Sequence, residues 1–159
     1  MITRILVPVD GSEHSGRAVA FATEVAARFG ASITFLHVLT QVLAREPLKR
    51  YLAHLQAAPE PDLIEIESVE KTLAKSGEPE GLELLQRVTS KAEAAGVNDV
   101  STSLLDGDPA GLIVREAGTG GYDLIVLGRR GVGGFKGLLV GSVSQRVASA
   151  AVPTVVMVN

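Results

Sequence analysis

The sequence has no cysteine and no tryptophan among its 159 residues. Disulfides, thiolate chemistry and cysteine-based zinc sites are therefore excluded. Aromatic residues are only 4% of the chain, so the core must be built from Val, Leu, Ile and Ala. That aliphatic bias suits buried parallel strands covered by alanine-rich helices. No apolar run approaches the ~18 residues that a membrane span requires. The opening run, Ile2 to Val9, carries Arg4 and leads straight into a turn, unlike the apolar centre of a secretory leader. There is no basic excess either: 15 Lys and Arg stand against 18 Asp and Glu, a net charge of −3. A chain that neutralises a phosphate backbone is usually basic, so a nucleic-acid partner is disfavoured. The expectation is a soluble cytoplasmic protein without a membrane or nucleic-acid partner.

What is present fits one globular domain over residues 1–159, with 46% hydrophobic and 21% charged residues. Short β-branched runs alternate with helical periodicities. Strands are expected at Ile2–Val9, Ser32–Leu39, Val97–Leu105, Tyr122–Leu127 and Val152–Val158. Asp10-Gly11-Ser12 breaks the first strand, and Ser12 is placed to cap a helix. That helix carries Ala18, Phe21, Ala22, Val25, Ala26 and Phe29 at helical spacing and stops at Gly30. A second clear helix runs from Pro79 to Gly96, with Leu82, Leu85, Val88, Ala92 and Ala95 as its expected apolar face. Pro109 opens another after Gly107-Asp108, and a last one spans Ser142 to Ala150. Residues 40–76 read as a variable insertion. Leu43, Leu48, Tyr51, Leu52 and Leu55 line one helix face there, Ala58-Pro59-Glu60-Pro61 interrupts it, and Leu63–Lys75 forms a second short helix. Alternation of strand and helix about five times predicts an α/β fold, an open parallel sheet covered on both faces.

Glycine is distributed unevenly. Eleven of the 17 glycines lie between Gly107 and Gly141. Glycine admits positive φ and lets backbone N–H groups approach an anion with no Cβ in the way. A helix beginning at Gly141-Ser142 adds unpaired donors and the positive end of its dipole. The hydroxyls of Ser142 and Ser144 are further donors. A polyphosphate would fit such a loop. The G-x-x-x-x-G-K-[ST] pattern of the P-loop is absent, and Gly131-Val132-Gly133 fails the dinucleotide fingerprint because its sixth position is Lys136.

The pattern that matches is G-x2-G-x9-G-[ST], filled by Gly128, Gly131, Gly141 and Ser142. On these residues the sequence resembles the universal stress protein family, in its ATP-binding branch. The opening Val7-Pro8-Val9-Asp10-Gly11-Ser12, the Gly107-Asp108-Pro109 turn and the final Pro153-to-Val158 strand resemble it too. The resemblance covers nearly the whole chain and is weakest between Thr40 and Ser76. It implies a three-layer, adenine nucleotide alpha hydrolase-like fold, with a five-stranded parallel sheet of order 3-2-1-4-5. A ligand then binds where strands 1 and 4 diverge, outside their carboxyl ends. By this resemblance Pro8, Val9 and Asp10 face adenosine, and the Val38 backbone meets the adenine. Leu127 and Gly128 touch the ribose side. Gly131, Gly141, Ser142, Val143 and Ser144 hold the phosphates of ATP, bridged by Mg2+. A homodimer through Thr154 to Val158 is also implied.

Blander roles weigh against several of these residues. Asp10 before Gly-Ser is also a common turn residue. Arg129 and Arg130 read first as a solvated charged turn, with steering of the triphosphate as the alternative, and Lys136 in the spacer is treated alike. His37 inside a strand reads as a satisfied core residue. No His or carboxylate spacing suggests a protein metal site, and the G-x-S-x-G nucleophile elbow is absent. No catalytic residue is nominated. The leading expectation is a nucleotide-dependent regulatory module in stress response. A weak ATPase or phosphotransferase, and a structural dimer without nucleotide, are the alternatives.

Overall fold

The computed structural model describes residues 1–40, 45–59, 63–64, 66–67, 77–131 and 140–159. Five strands form one parallel sheet: β1 (Arg4–Pro8), β2 (Ser32–Leu39), β3 (Val100–Asp106), β4 (Leu124–Gly128) and β5 (Thr154–Val158). Their order is β3-β2-β1-β4-β5, as expected. The helices are α1 (Glu13–Phe29), α2 (Arg45–Gln56), α3 (Glu78–Ala94), α4 (Pro109–Thr119) and α5 (Ser142–Ala150). Among the described residues, no helix is long and apolar enough to cross a membrane.

Strand side chains alternate between faces, and each face buries its own core. Ile5, Val7, Ile33, Phe35, Leu124 and Val126 pack on one side with α1 and α3. Leu6, Leu36, Ile125 and Leu127 pack on the other with α4 and α5. β1 is central: Ile5 is in register with both Ile33 and Leu124. The strand starts fall inside the expected runs for a local reason. The Asp123 carboxylate accepts from the Thr3 hydroxyl and amide, each at 2.7 Å, and from the Arg4 amide at 3.0 Å. It thereby ties the entry of β4 to that of β1. The Thr3 hydroxyl above all, with these two amides, holds the Asp123 carboxyl down at about 2.

Two expected apolar faces are corrected. On α1 the sheet-facing stripe is Ala18, Ala22 and Ala26, whereas Phe29 is 62% exposed and Phe21 also faces solvent. Small side chains let the helix lie close to the sheet, and the larger Phe21 and Phe29 turn outward. On α3, Leu82 is 53% exposed and Ala95 is exposed, while Gly81, Leu84, Leu85, Val88 and Ala92 are buried. A Cβ on Gly81 would stand 2.7 Å from His37 Cδ2, so the helix rolls onto its glycine rather than onto Leu82. Within the insertion, α2 carries Leu52 and Leu55 half-buried and Tyr51 exposed. Leu43, the side chain of Leu48 and most of Leu63–Lys75 lie outside the described residues.

Candidate functional site

In a parallel sheet, the helix after each strand begins at the carboxyl end of that strand. The starts of α1, α3, α4 and α5 therefore surround one open cleft of about 1040 Å³. Ligand clefts commonly span ~300–1,000 Å³, so this one has room for a nucleotide. All eleven residues expected from the sequence lie on its wall. Pro8, Val9 and Asp10 come from the end of β1, Val38 from β2, and Leu127 and Gly128 from β4. Gly131 follows on the loop, and Gly141, Ser142, Val143 and Ser144 form the start of α5. Residues 132–139, Lys136 among them, lie outside the described residues.

The two flanks of the loop close on each other. The Gly141 amide donates to the Arg129 carbonyl at 2.8 Å, and the Arg129 amide donates to the Val158 carbonyl at 2.7 Å. The Ser12 hydroxyl reaches the Arg130 carbonyl at 3.4 Å. None of Gly128, Gly131 and Gly141 has a positive φ. At Gly128 and Gly131 glycine is needed for space, not for backbone conformation. A Cβ on Gly128 would lie 2.7 Å from the His14 carbonyl carbon and 2.8 Å from the Ser15 nitrogen, so β4 ends hard against the start of α1. One on Gly131 would lie 2.5 Å from Asp10 Oδ2. One on Gly141 would meet backbone only at 3.4 Å, which is tight but nearly ordinary contact.

The helix starts differ in electrostatics. α1 is capped by Ser12, whose hydroxyl accepts from the Ser15 amide at 3.2 Å, and it carries Glu13 in its first turn. α3 carries Glu78 and Glu80. α4 is capped by Asp108, which accepts from the Gly111 amide at 2.9 Å. Asp108 is in turn held bidentately by Arg146 at 2.7 and 2.8 Å. That guanidinium first, and then the Gly111 amide, lower the Asp108 pKa; the carboxylate raises that of Arg146. α5 is built otherwise. Its N-cap is Gly141, no side chain caps it, and its first turn has no acid. Ser144, 4% exposed, donates its hydroxyl hydrogen to the Gly128 carbonyl at 2.8 Å, so that donor is already engaged.

Several wall residues escaped the sequence reading. Gly77, Glu80, Gly81, Leu84 and Arg87 recur at helical spacing on α3 and line the side away from α5. The signal was Gly81, a glycine inside a helix, which costs stability unless something packs against it. What packs there is His37, also on the wall. Its Nδ1 is 2.7 Å from the Val9 carbonyl. The carbonyl can only accept, so Nδ1 is the donor; His37 is hydrogen-bonded as expected, but it stands half-buried on the cleft wall rather than in the core. Arg130 lines the cleft too, and its Nε is buried without a partner. The described residues hold no cluster of three or more His, Cys, Asp or Glu that would bind a metal.

Comparison with known proteins places the chain among relatives of the same fold. The chain is 32% identical over 159 residues to universal stress protein YxiE of Bacillus subtilis, covering all of both chains. It is 35% identical over 160 residues to a universal stress protein of Thermus aquaticus, again covering both completely. Universal stress protein UspA from Lactobacillus plantarum superposes with a TM-score of 0.76 at 23% identity, covering 99% of this chain and 97% of that one. A universal stress protein in complex with cAMP gives 0.68 at 23% identity, with 99% and 97% covered. An Arabidopsis thaliana family protein with AMP bound gives 0.63 at 21% identity, with 98% and 90% covered. These solved structures share the fold of this chain over nearly its whole length. The universal stress protein family model spans residues 1–159, and the chain belongs to that family.

Proposed function

We propose that the chain binds an adenine nucleotide in this cleft and acts as a nucleotide-dependent regulatory module in stress response. One observation carries the reading: among the described helix starts on the cleft, α5 alone has neither a side-chain cap nor a carboxylate, its own or its cap's. Donors at a helix start attract anions, and acids at the other starts repel them. The phosphates therefore belong at Gly131, Gly141, Ser142, Val143 and Ser144. The base belongs at the opposite end, near Val38 and α3, where Leu39 and Leu84 supply apolar wall. Pro8, Val9, Asp10, Leu127 and Gly128 lie between, beside the sugar. The family complexes with cAMP and AMP support an adenine ligand. The G-x2-G-x9-G-[ST] spacing favours ATP, with Mg2+ bridging phosphate oxygens.

The ligand's part is to add charge and hydrogen-bond acceptors. The chain's own residues bind and orient it, and among the described residues none is placed as a base for water or an acceptor hydroxyl. β5 is a sheet edge carrying Met157 at 40% exposure, and pairing of Thr154 to Val158 between copies would form a homodimer.

Calorimetric titration with Mg-ATP tests the reading. Gly131→Val and Gly141→Val should abolish binding and leave the circular dichroism spectrum unchanged, because the first displaces Asp10 and the second crowds the loop backbone at the start of α5. Normal binding by both variants contradicts it. Repeated ATP turnover that falls on replacing Asp10 would instead make the protein an enzyme.

A further inference from the structure

Arg130 is the second residue of the spacer between Gly128 and Gly131, the pair that reads from sequence as a solvated turn. The structure places it otherwise. Arg130 is half-buried on the cleft wall, and its Nε is buried without an acceptor. Its backbone is held on two sides. The Ser12 hydroxyl donates to its carbonyl at 3.4 Å, and its Cα lies 3.4 Å from where a Cβ on Gly141 would stand. The Arg130 backbone therefore runs beside the start of α5, and the residue lines the cleft there.

A charged donor removed from water with nothing to accept it is destabilising, and a native fold that keeps one needs an explanation. The other arginine beside α5 differs in this respect: Arg146 has both terminal nitrogens on Asp108. Among the side chains described on the cleft wall, Arg130 alone has a buried polar atom lacking a partner. The acceptor that suits it is an anionic oxygen presented in a plane, which a phosphate offers. The uncapped start of α5 attracts that same charge.

We infer that Arg130 reads the ligand's charge, donating to a phosphate oxygen of the bound nucleotide so that the site selects phosphorylated nucleotides over the bare nucleoside. This rests on the nucleotide reading of the cleft and adds a discriminating residue to it. The α5 amides attract any electronegative group, whereas Arg130 makes the selection depend on full negative charge.

The test is calorimetric titration of the wild type, Arg130→Met and Arg130→Lys with adenosine, AMP and Mg-ATP. Arg130→Met is expected to weaken AMP and ATP by about tenfold or more, the scale of a charge-assisted hydrogen bond, and adenosine by less than about twofold. Arg130→Lys should fall between, because it keeps the charge and loses the fork. Melting curves of both variants report the fold independently. Equal losses for all three ligands would make Arg130 a packing residue and overturn the inference. Unchanged affinities would return it to a solvated turn and overturn it as well. A wild type that binds none of the three overturns the nucleotide reading itself, a result distinct from either.

Discussion

The starts of α1 and α5 flank the point where β1 and β4 diverge, and they follow opposite plans. α1 closes itself. Ser12 accepts from the Ser15 amide, Glu13 sits on the dipole, and Asp10 Oδ1 accepts from the Ser12 amide at 3.0 Å. α5 has no side-chain cap and no acid, and Ser144 turns its hydroxyl to the Gly128 carbonyl instead. The two share a sheet, a cleft and nearly the same opening residues, Gly11-Ser12 and Gly141-Ser142. The difference teaches what separates a helix start that serves the fold from one kept for a ligand: the first satisfies its donors from its own side chains, and the second leaves them to be met from outside.

The largest effect should come from breaking the contact between the two sides. Gly128→Val places a side chain where the His14 and Ser15 backbone already stands. Urea unfolding should show a loss of about 3 kcal/mol or more, since rigid backbone cannot yield. Gly141→Ala meets backbone only at 3.4 Å and should leave the unfolding midpoint nearly unchanged. Next comes giving α5 the plan of α1. Ser142→Asp should lower AMP and ATP affinity on the order of a hundredfold, because a carboxylate then faces the phosphate. Its melting temperature should hold or rise, because that same carboxylate suits the dipole. Smaller again, Ser12→Ala removes the α1 cap. It should cost about 1 kcal/mol of stability in the urea midpoint, with little change in nucleotide affinity. The smallest effect is away from the cleft. The Asp123 carboxyl is held at about 2, below its ordinary 3.8. A lowered carboxyl stabilises the fold above its unfolded value and loses that contribution as the medium acidifies through the folded one. The melting temperature of the wild type should therefore drop between pH 4 and pH 2 by more than that of Asp123→Asn, as read in a pH series of thermal melts.

Much of this was legible in the sequence because its signals are local. Alternating strand and helix runs, Ser12 as a cap, Gly30 as a stop and Pro109 at a first turn each act within a few residues of themselves. The glycine spacing was legible for the same reason. Its purpose was partly hidden: Gly128 is set by the backbone of His14 and Ser15, over a hundred residues earlier in the chain. The α3 wall was missed because its orientation is decided by Gly81 against His37, whereas apolar periodicity pointed to Leu82. Arg130 was left between solvent and ligand because charge in a loop suggests solvent, and only the folded chain shows its Nε buried.

The central claim is that bare amides at the start of α5 take the ligand's phosphate, and amide NMR on 15N-labelled protein titrated with AMP tests it most directly. The account predicts that the amides of Ser142, Val143 and Ser144 shift furthest and saturate together, while Glu13 and Ser15 at the start of α1 move little. Saturating AMP that leaves those three amides in place, or that displaces the α1 amides more, would contradict it.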